Sequence, residues 1–317
     1  MSRIWVLGDA VVDLIPDGRE HYLKCPGGAP ANVAVGVARL GIETGFIGRV
    51  GDDPPGRFML ETLRAEGVAT EHMILDPDHR TSTVIVDLDQ GERSFTFMVN
   101  PSADQFLQSG DLPHFSAGDY LHCCSIALIN EPSRSATLEA VRRIKAAGGR
   151  FSFDPNLRET LWPSAEEMKT TVNRVAAMAD IVKFSEEELA LLTGITAPDE
   201  AARTLAAQSP EQLIVVTLGA DGAAYYFRGR SGRVAGRPLK PVDTTGAGDA
   251  FVSGLLAGLY RAGNLHDEAV LAEAVRQANA CGALATTAKG AMPALPDRAG
   301  LAAFLAGRDD TAPAEAV

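Results

Sequence analysis

The sequence predicts an α/β fold in three layers: a mainly parallel sheet covered by helices on both faces, with a small β lid. Three observations carry this. Short apolar strand-like runs alternate with longer runs of helical spacing along most of the 317 residues, the order of a parallel sheet joined by crossover helices. Helical runs stop at glycine, which readily takes the left-handed turn at a helix end. One stretch breaks the alternation with two strands joined by a polar turn.

Ile4–Leu7 reads as the first strand. Asn32 to Leu40 has helical spacing and stops at Gly41. Thr44–Ile47 is a strand, and Arg57–Glu66 a helix ending at Gly67. Tyr120–Ser125 is a strand, and Pro132–Ala147 a helix closed by Gly148 and Gly149. Arg150–Phe153 is a strand, followed by a helix from about Ala165 to Met178. Ile181–Phe184 leads into an acidic helix start at Glu186–Leu192. Leu213–Thr217 and Ala223–Phe227 are strands; Gly248–Ala262 and Asp267–Thr287 are helices. The exception is Ser82–Leu88 and Ser94–Val99, joined by Asp89-Gln90-Gly91-Glu92-Arg93. This reads as a β-hairpin. With Leu14–Leu23 it forms either a separate sheet over a cleft or an antiparallel edge of the main sheet. The expected organisation is one domain over residues 1–308, lid segments at 14–24 and 82–104, and a disordered tail at 309–317.

A net charge of −12 argues against nucleic acid or an anionic membrane as partner. An anionic ligand must then be held locally, by backbone N–H groups and a few basic side chains. The N-terminus shows no signal-peptide pattern, and no apolar stretch approaches the ~18–20 residues of a membrane span, so a cytoplasmic location is expected. Four cysteines without C-x-x-C spacing and six histidines without H-x-x-x-H give no zinc or disulfide framework.

Asp243-Thr244-Thr245-Gly246-Ala247-Gly248-Asp249 runs straight into an apolar helix. Main-chain N–H groups at a helix N-terminus hold anions, and Asp249 stands beside them in the first turn. Donors for developing charge next to one carboxylate suit phosphoryl transfer to a hydroxyl. Glycines before a helix with a capping aspartate are also ordinary loop chemistry. What favours the chemical reading is convergence, because ligands of open α/β sheets bind beyond the carboxyl ends of the strands. Gly8, Asp9 and Asp13, then Asp154, Asn156 and Arg158, then Ser185, Glu186 and Glu188, then Thr217 and Gly219 all follow strands. Gly27, Gly28 and Asn32 form a second glycine motif suited to a polyhydroxylated ligand. No Gly-Lys dipeptide occurs, so a Walker-type loop is absent. No G-x-G-x-x-G follows the first strand and no G-x-S-x-G occurs.

Gly8-Asp9-x-x-x-Asp13, Gly27-Gly28-x-x-x-Asn32 and Asp243 to Asp249 together resemble the ribokinase-like sugar kinases of phosphofructokinase-B type, over about Arg3 to Phe304. Trp5 to Leu14, Cys25 to Gly41 and Thr286 to Met292 are similar to bacterial fructokinases, and aminoimidazole riboside kinases are similar in the same segments. The resemblance implies transfer of the γ-phosphoryl of ATP to a sugar hydroxyl, with Mg²⁺ and a potassium ion, in a homodimer formed through the lid. It makes Asp249 the base, with Gly246, Ala247 and Gly248 as anion hole. Asp13, Gly27, Gly28 and Asn32 match sugar-binding positions, and Arg158 reads either as a phosphate or substrate contact or as a surface salt bridge. Thr217, Gly219, Gly222 and Asn279 match the nucleotide side, and Ser185 and Glu188 the segment linked to magnesium and phosphate. Asp243 and Thr245, with carbonyls near Ala285, Ala288 and Gly290, match the potassium position. The helix N-terminus is expected to lower the Asp249 pKa and make it a weak base.

Two departures stand out. Ser185 replaces the family's Asn before Glu188, and Val11 replaces an Asn of ribokinases, which argues against ribose. Three functions follow in order. Fructose phosphorylation leads, then phosphorylation of an aminoimidazole riboside, then sugar sensing without catalysis. The riboside needs an apolar surface for a flat base. Alternation puts Phe95 and Phe97 on one face of the hairpin and Met98 on the other. The intact Asp249 and its glycines argue against a sensor.

Overall fold

The structure, a computed structural model, describes residues 2–89, 92–237 and 239–307, with backbone only at 87–89 and 92–95. The chain runs β1 Ile4–Leu7, β2 Val11–Asp17, β3 His21–Gly27, α1 Ala29–Arg39, β4 Thr44–Gly51, α2 Pro54–Ala65 and β5 Ala69–Asp76. The hairpin follows as β6 Thr83–Asp89 and β7 Glu92–Phe97. Next come β8 Tyr120–Cys124, α3 Ser133–Ala146, β9 Arg150–Asp154, α4 Ala165–Ala176, β10 Ile181–Ser185, α5 Glu186–Thr193 and α6 Pro198–Gln208. The chain closes with β11 Leu213–Thr217, β12 Gly222–Phe227, β13 Arg230–Ala235, α7 Ala247–Ala262, α8 Glu268–Ala285 and α9 Arg298–Leu305.

Nine strands form one sheet in the order β13-β12-β11-β10-β9-β8-β1-β4-β5. All neighbours from β11 to β5 are parallel, and β12 and β13 are antiparallel additions at one edge. Strand alternation splits the core in two. Ile4 and Val6 of β1 pack with α1, α2, α7, α8 and α9. Trp5 and Leu7 pack on the opposite face with α3 to α6. The three layers follow from that period of two.

A second sheet has four strands in the order β3-β2-β6-β7. The hairpin is therefore separate from the main sheet, and β2 pairs parallel with β6 across it. Four elements extend the sequence-based picture. β5 and β13 are edge strands, and α6 and α9 are short helices. The α1 helix also begins before Asn32, at Ala29, with Pro30 in its first turn, where a missing N–H costs nothing. The expected tail at 309–317 lies outside the described residues. Among the described residues no helix is long and apolar enough to cross a membrane.

Candidate active site

Two cavities open beyond the strand ends, and the sequence motifs divide between them. The first, of about 250 Å³, lies between the two sheets. Asp13, Gly28, Asn32, Arg158, Thr245, Gly246, Gly248 and Asp249 line it, together with Asp9, Val11, Asn156, Cys124 and Phe97. The second, of about 540 Å³, is lined by Thr217, Gly219, Gly222, Asn279, Ala247 and Gly248, with Phe251 and Leu239 among its apolar walls. Gly248 is the residue common to both.

The first glycine pair makes room for a carboxylate and a carbonyl. A Cβ at Gly27 would lie 2.2 Å from Asp13 Oδ2, so Asp13 keeps its place only against glycine. Gly28 caps α1 with φ at +97°, and a Cβ there would meet the Asp9 carbonyl at 2.7 Å.

Close packing of α1 on α7 then brings Asn32 to Asp249. Gly36 leaves space for Ser253, whose hydroxyl lies 2.8 Å from the Asp249 carbonyl and 3.2 Å from the Val33 carbonyl. Asp249 occupies the first turn of α7, and Gly246 caps that helix in left-handed conformation. Asn32 Nδ2 donates to Asp249 Oδ2 at 2.8 Å, and Asn156 Nδ2 approaches Oδ1 at 3.4 Å. Asn156 reaches there from a left-handed backbone, φ 41°.

Burial reverses the expected direction of the Asp249 pKa shift. Its carboxyl is pushed up to about 6 by desolvation, with Asp154 adding to the rise and the Asn32 bond, Arg158 and Lys183 opposing it. The expectation of a lowered pKa is thus corrected. The helix end acts within one turn, while loss of water acts on the whole carboxyl. Asp9 is raised further, to about 7, by burial and then by Asp104. Asp9 Oδ1 and Asn32 Oδ1 are buried acceptors with no protein donor.

Beneath the start of α7 lies a polar floor. Lys183 on β10 donates to both oxygens of Asp154 on β9, at 3.2 and 3.3 Å. His122 on β8 faces Ser152 at 3.0 Å and is held neutral, its pKa pushed down to about 3 by burial. Lys183 was not among the sequence candidates. Its signal was there, since Ile181-Val182-Lys183-Phe184 places one charge inside a strand that is otherwise apolar.

Other candidates take different places. The Ser185 hydroxyl accepts from the Glu188 N–H, and Glu188 accepts from the Ser185 and Leu157 N–H groups. The pair is a capping box for α5, and neither residue lines either cavity. Asp243 is buried and accepts from Thr245 N and Gly290 N at 2.9 and 2.8 Å. Ala285 closes α8, and Ala288 is exposed in the turn that follows. Asn279 Nδ2 donates to the Val234 carbonyl at 3.0 Å. Among the described residues, no cluster of three or more His, Cys, Asp or Glu side chains is arranged to hold a metal.

Phe97 lines the first cavity and Met98 is exposed, so the face carrying Phe97 is the one turned to the cleft. The Phe95 side chain lies outside the described residues.

A family model described as pfkB family carbohydrate kinase matches residues 1–298. A fructokinase of Vibrio alginolyticus is 56% identical over 306 residues, covering 96% of this chain and 99% of that protein. An aminoimidazole riboside kinase of Salmonella typhimurium is 47% identical over 297 residues, covering 93% and 92%. The solved structure of a Vibrio cholerae O395 fructokinase with fructose, ADP and calcium superposes with TM-score 0.92 at 58% identity, covering 96% of this chain and 99% of that one. A double mutant of it, with fructose, ADP and potassium, superposes with TM-score 0.91 at 59% identity, covering 96% and 98%.

Proposed function

The chain belongs to the pfkB family of carbohydrate kinases, and we propose that it transfers the γ-phosphoryl of ATP to the 6-hydroxyl of D-fructose, giving fructose 6-phosphate and ADP. One observation carries this reading. A cleft of about 250 Å³ brings Asp249, raised to about 6, together with Asp13 and with Asp9 and Asn32, whose Oδ1 atoms are buried acceptors with no protein donor. Buried acceptors such as Asp9 Oδ1 and Asn32 Oδ1 suit a ligand with several hydroxyl donors.

Asp13, Asn32 and the Gly27–Gly28 turn hold the sugar, and Arg158 meets the phosphoryl or the sugar from the side. ATP lies along the second cavity, its base near Asn279 and its phosphates running by Thr217 and Gly219, with Gly222 shaping the turn, toward Gly248. Asp249 takes the proton of the 6-hydroxyl. The oxygen forms a bond to phosphorus as the bond to the ADP oxygen breaks, and ADP leaves with that electron pair. The N–H groups of Gly246, Ala247 and Gly248 bind the developing charge. At a pKa near 6, Asp249 is ionised at neutral pH yet more basic than an ordinary carboxylate.

A divalent ion such as Mg²⁺ would be held chiefly by the nucleotide phosphates and water, with Ser185 and Glu188 bonding that water; when bound it neutralises phosphate charge. A potassium ion would sit behind the anion hole, where Asp243, Thr245 and the carbonyls of Ala285, Ala288 and Gly290 would hold it. The reading also includes one domain over 1–308 with segments 14–24 and 82–104 as its lid. A homodimer formed through the small sheet and a cytoplasmic location complete it, the latter supported by four buried free cysteines.

The second reading is phosphorylation of an aminoimidazole riboside at its 5′-hydroxyl, favoured by Phe97 in the cleft wall. A coupled assay with both substrates side by side decides. We expect kcat/KM for fructose to exceed that for the riboside, and a ratio in favour of the riboside overturns the first choice.

A further inference from the structure

Lys183 is buried in β10, 10% of its side chain exposed. Burial works against an ammonium there, and Asp154 and then Glu188, 3.9 Å away, outweigh it and hold the charge. A buried ion pair is a poor source of stability, because well-packed apolar residues of the same volume do as well or better. The pair therefore invites another explanation.

Gly248 supplies it. A Cβ built at Gly248 meets one neighbouring atom within 4 Å beyond its own helix: Lys183 Nζ, at 3.9 Å. So no tight packing demands glycine at this point. What its missing side chain preserves is a gap, walled by the start of α7 and ending on an ammonium. Gly248 also lines both cavities, so a phosphoryl group passing from one to the other passes this residue and the gap beside it.

We propose that Lys183 is a catalytic residue that donates to the oxygens of the phosphoryl group in transit, with Asp154 as its positioning residue. This rests on the kinase reading above. The Lys183 ammonium keeps its proton and forms no covalent bond. The bond made is oxygen to phosphorus, the bond broken is phosphorus to the ADP oxygen, and the hydroxyl proton goes to Asp249. Such a cation fills the place of the loop lysine that the sequence lacks. It approaches from the sheet rather than from a glycine loop.

The test uses Lys183→Met combined with Asp154→Asn, so that Asp154 is not left as a lone buried charge. Affinities for ADP and for a β,γ-methylene ATP analogue are measured by calorimetry without sugar, and kcat and KM are measured with fructose. Removal of one donor to a developing oxyanion costs about 10²–10³-fold. We expect kcat to fall by that order with KM for fructose within about threefold. The analogue should lose at least about tenfold in affinity relative to ADP. An unchanged ratio of analogue to ADP overturns the proposal whatever happens to kcat, since a structural role would weaken both alike. A kcat within about fivefold of the parent overturns it too. Because the nucleotide ratio is read without sugar, it judges Lys183 even where fructose proves to be the wrong acceptor. Should the double variant not fold, Lys183→Gln, whose amide still bonds Asp154, is read by the same two criteria.

Discussion

In the proposed reaction Asp249 must satisfy two demands at once: to be ionised at neutral pH and to bind a proton well enough to help a hydroxyl react. Burial supplies the second, and the Asn32 amide, Arg158 and Lys183 preserve the first. The pH dependence follows. Below about pH 6 the carboxyl carries its proton and cannot accept another, so kcat/KM for fructose should rise with pH through that value and level above it. Asp249→Asn should cost roughly 10²–10⁴-fold in kcat and abolish the acidic limb. A pH–rate profile of both proteins checks this, and turnover within about tenfold of the parent removes Asp249 from the role of base. The aspartate itself was legible, because its motif is local. Its proton affinity was not, because desolvation depends on α1, β9 and β10 arriving from far along the chain. Lys183 was hidden for a related reason. A single charge in a five-residue strand has no meaning until its neighbour strand brings Asp154 beside it.

At the scale of elements, the turn before α7 is tied to the segment after α8. The Val242 and Asp243 N–H groups donate to the Thr286 carbonyl, and Gly290 N donates to Asp243. A cation bound there would stiffen the backbone that presents the anion hole. Coupling between two such sites is typically a few-fold to about a hundredfold. Replacing potassium by choline should therefore lower kcat by about tenfold in the coupled assay, and equal rates remove the ion from the mechanism. Most elements were legible from periodicity, since β1, β8 and β11 are short apolar runs and α7 and α8 carry long helical spacing. The edge strand β13 was not, because Arg230-Ser231-Gly232-Arg233 is polar and its exposure pattern mixed. The start of α1 at Ala29 was missed, although Pro30 in its first turn is a start signal.

For the whole molecule, the proposed function gives the small sheet two tasks. One face closes the cleft through Val84 and Phe97, and its edge strand β3 leaves Tyr22 and Leu23 more than half exposed. An open edge carrying apolar side chains invites a partner strand or sheet. Sedimentation at micromolar concentration should give twice the 33.4 kDa of one chain, and Leu23→Glu should shift the mass toward one chain. A single-chain mass for the parent overturns the dimer. The two cavities lined by Gly248 also bear on how such a protein diversifies. The first cavity, the proposed sugar cleft, draws mainly on residues 9–158, and the second, proposed for the nucleotide, on residues 217–286. Acceptor preference can therefore drift in the N-terminal half while the phosphate donor stays fixed, as in a tool whose bit is exchanged and whose handle is inherited.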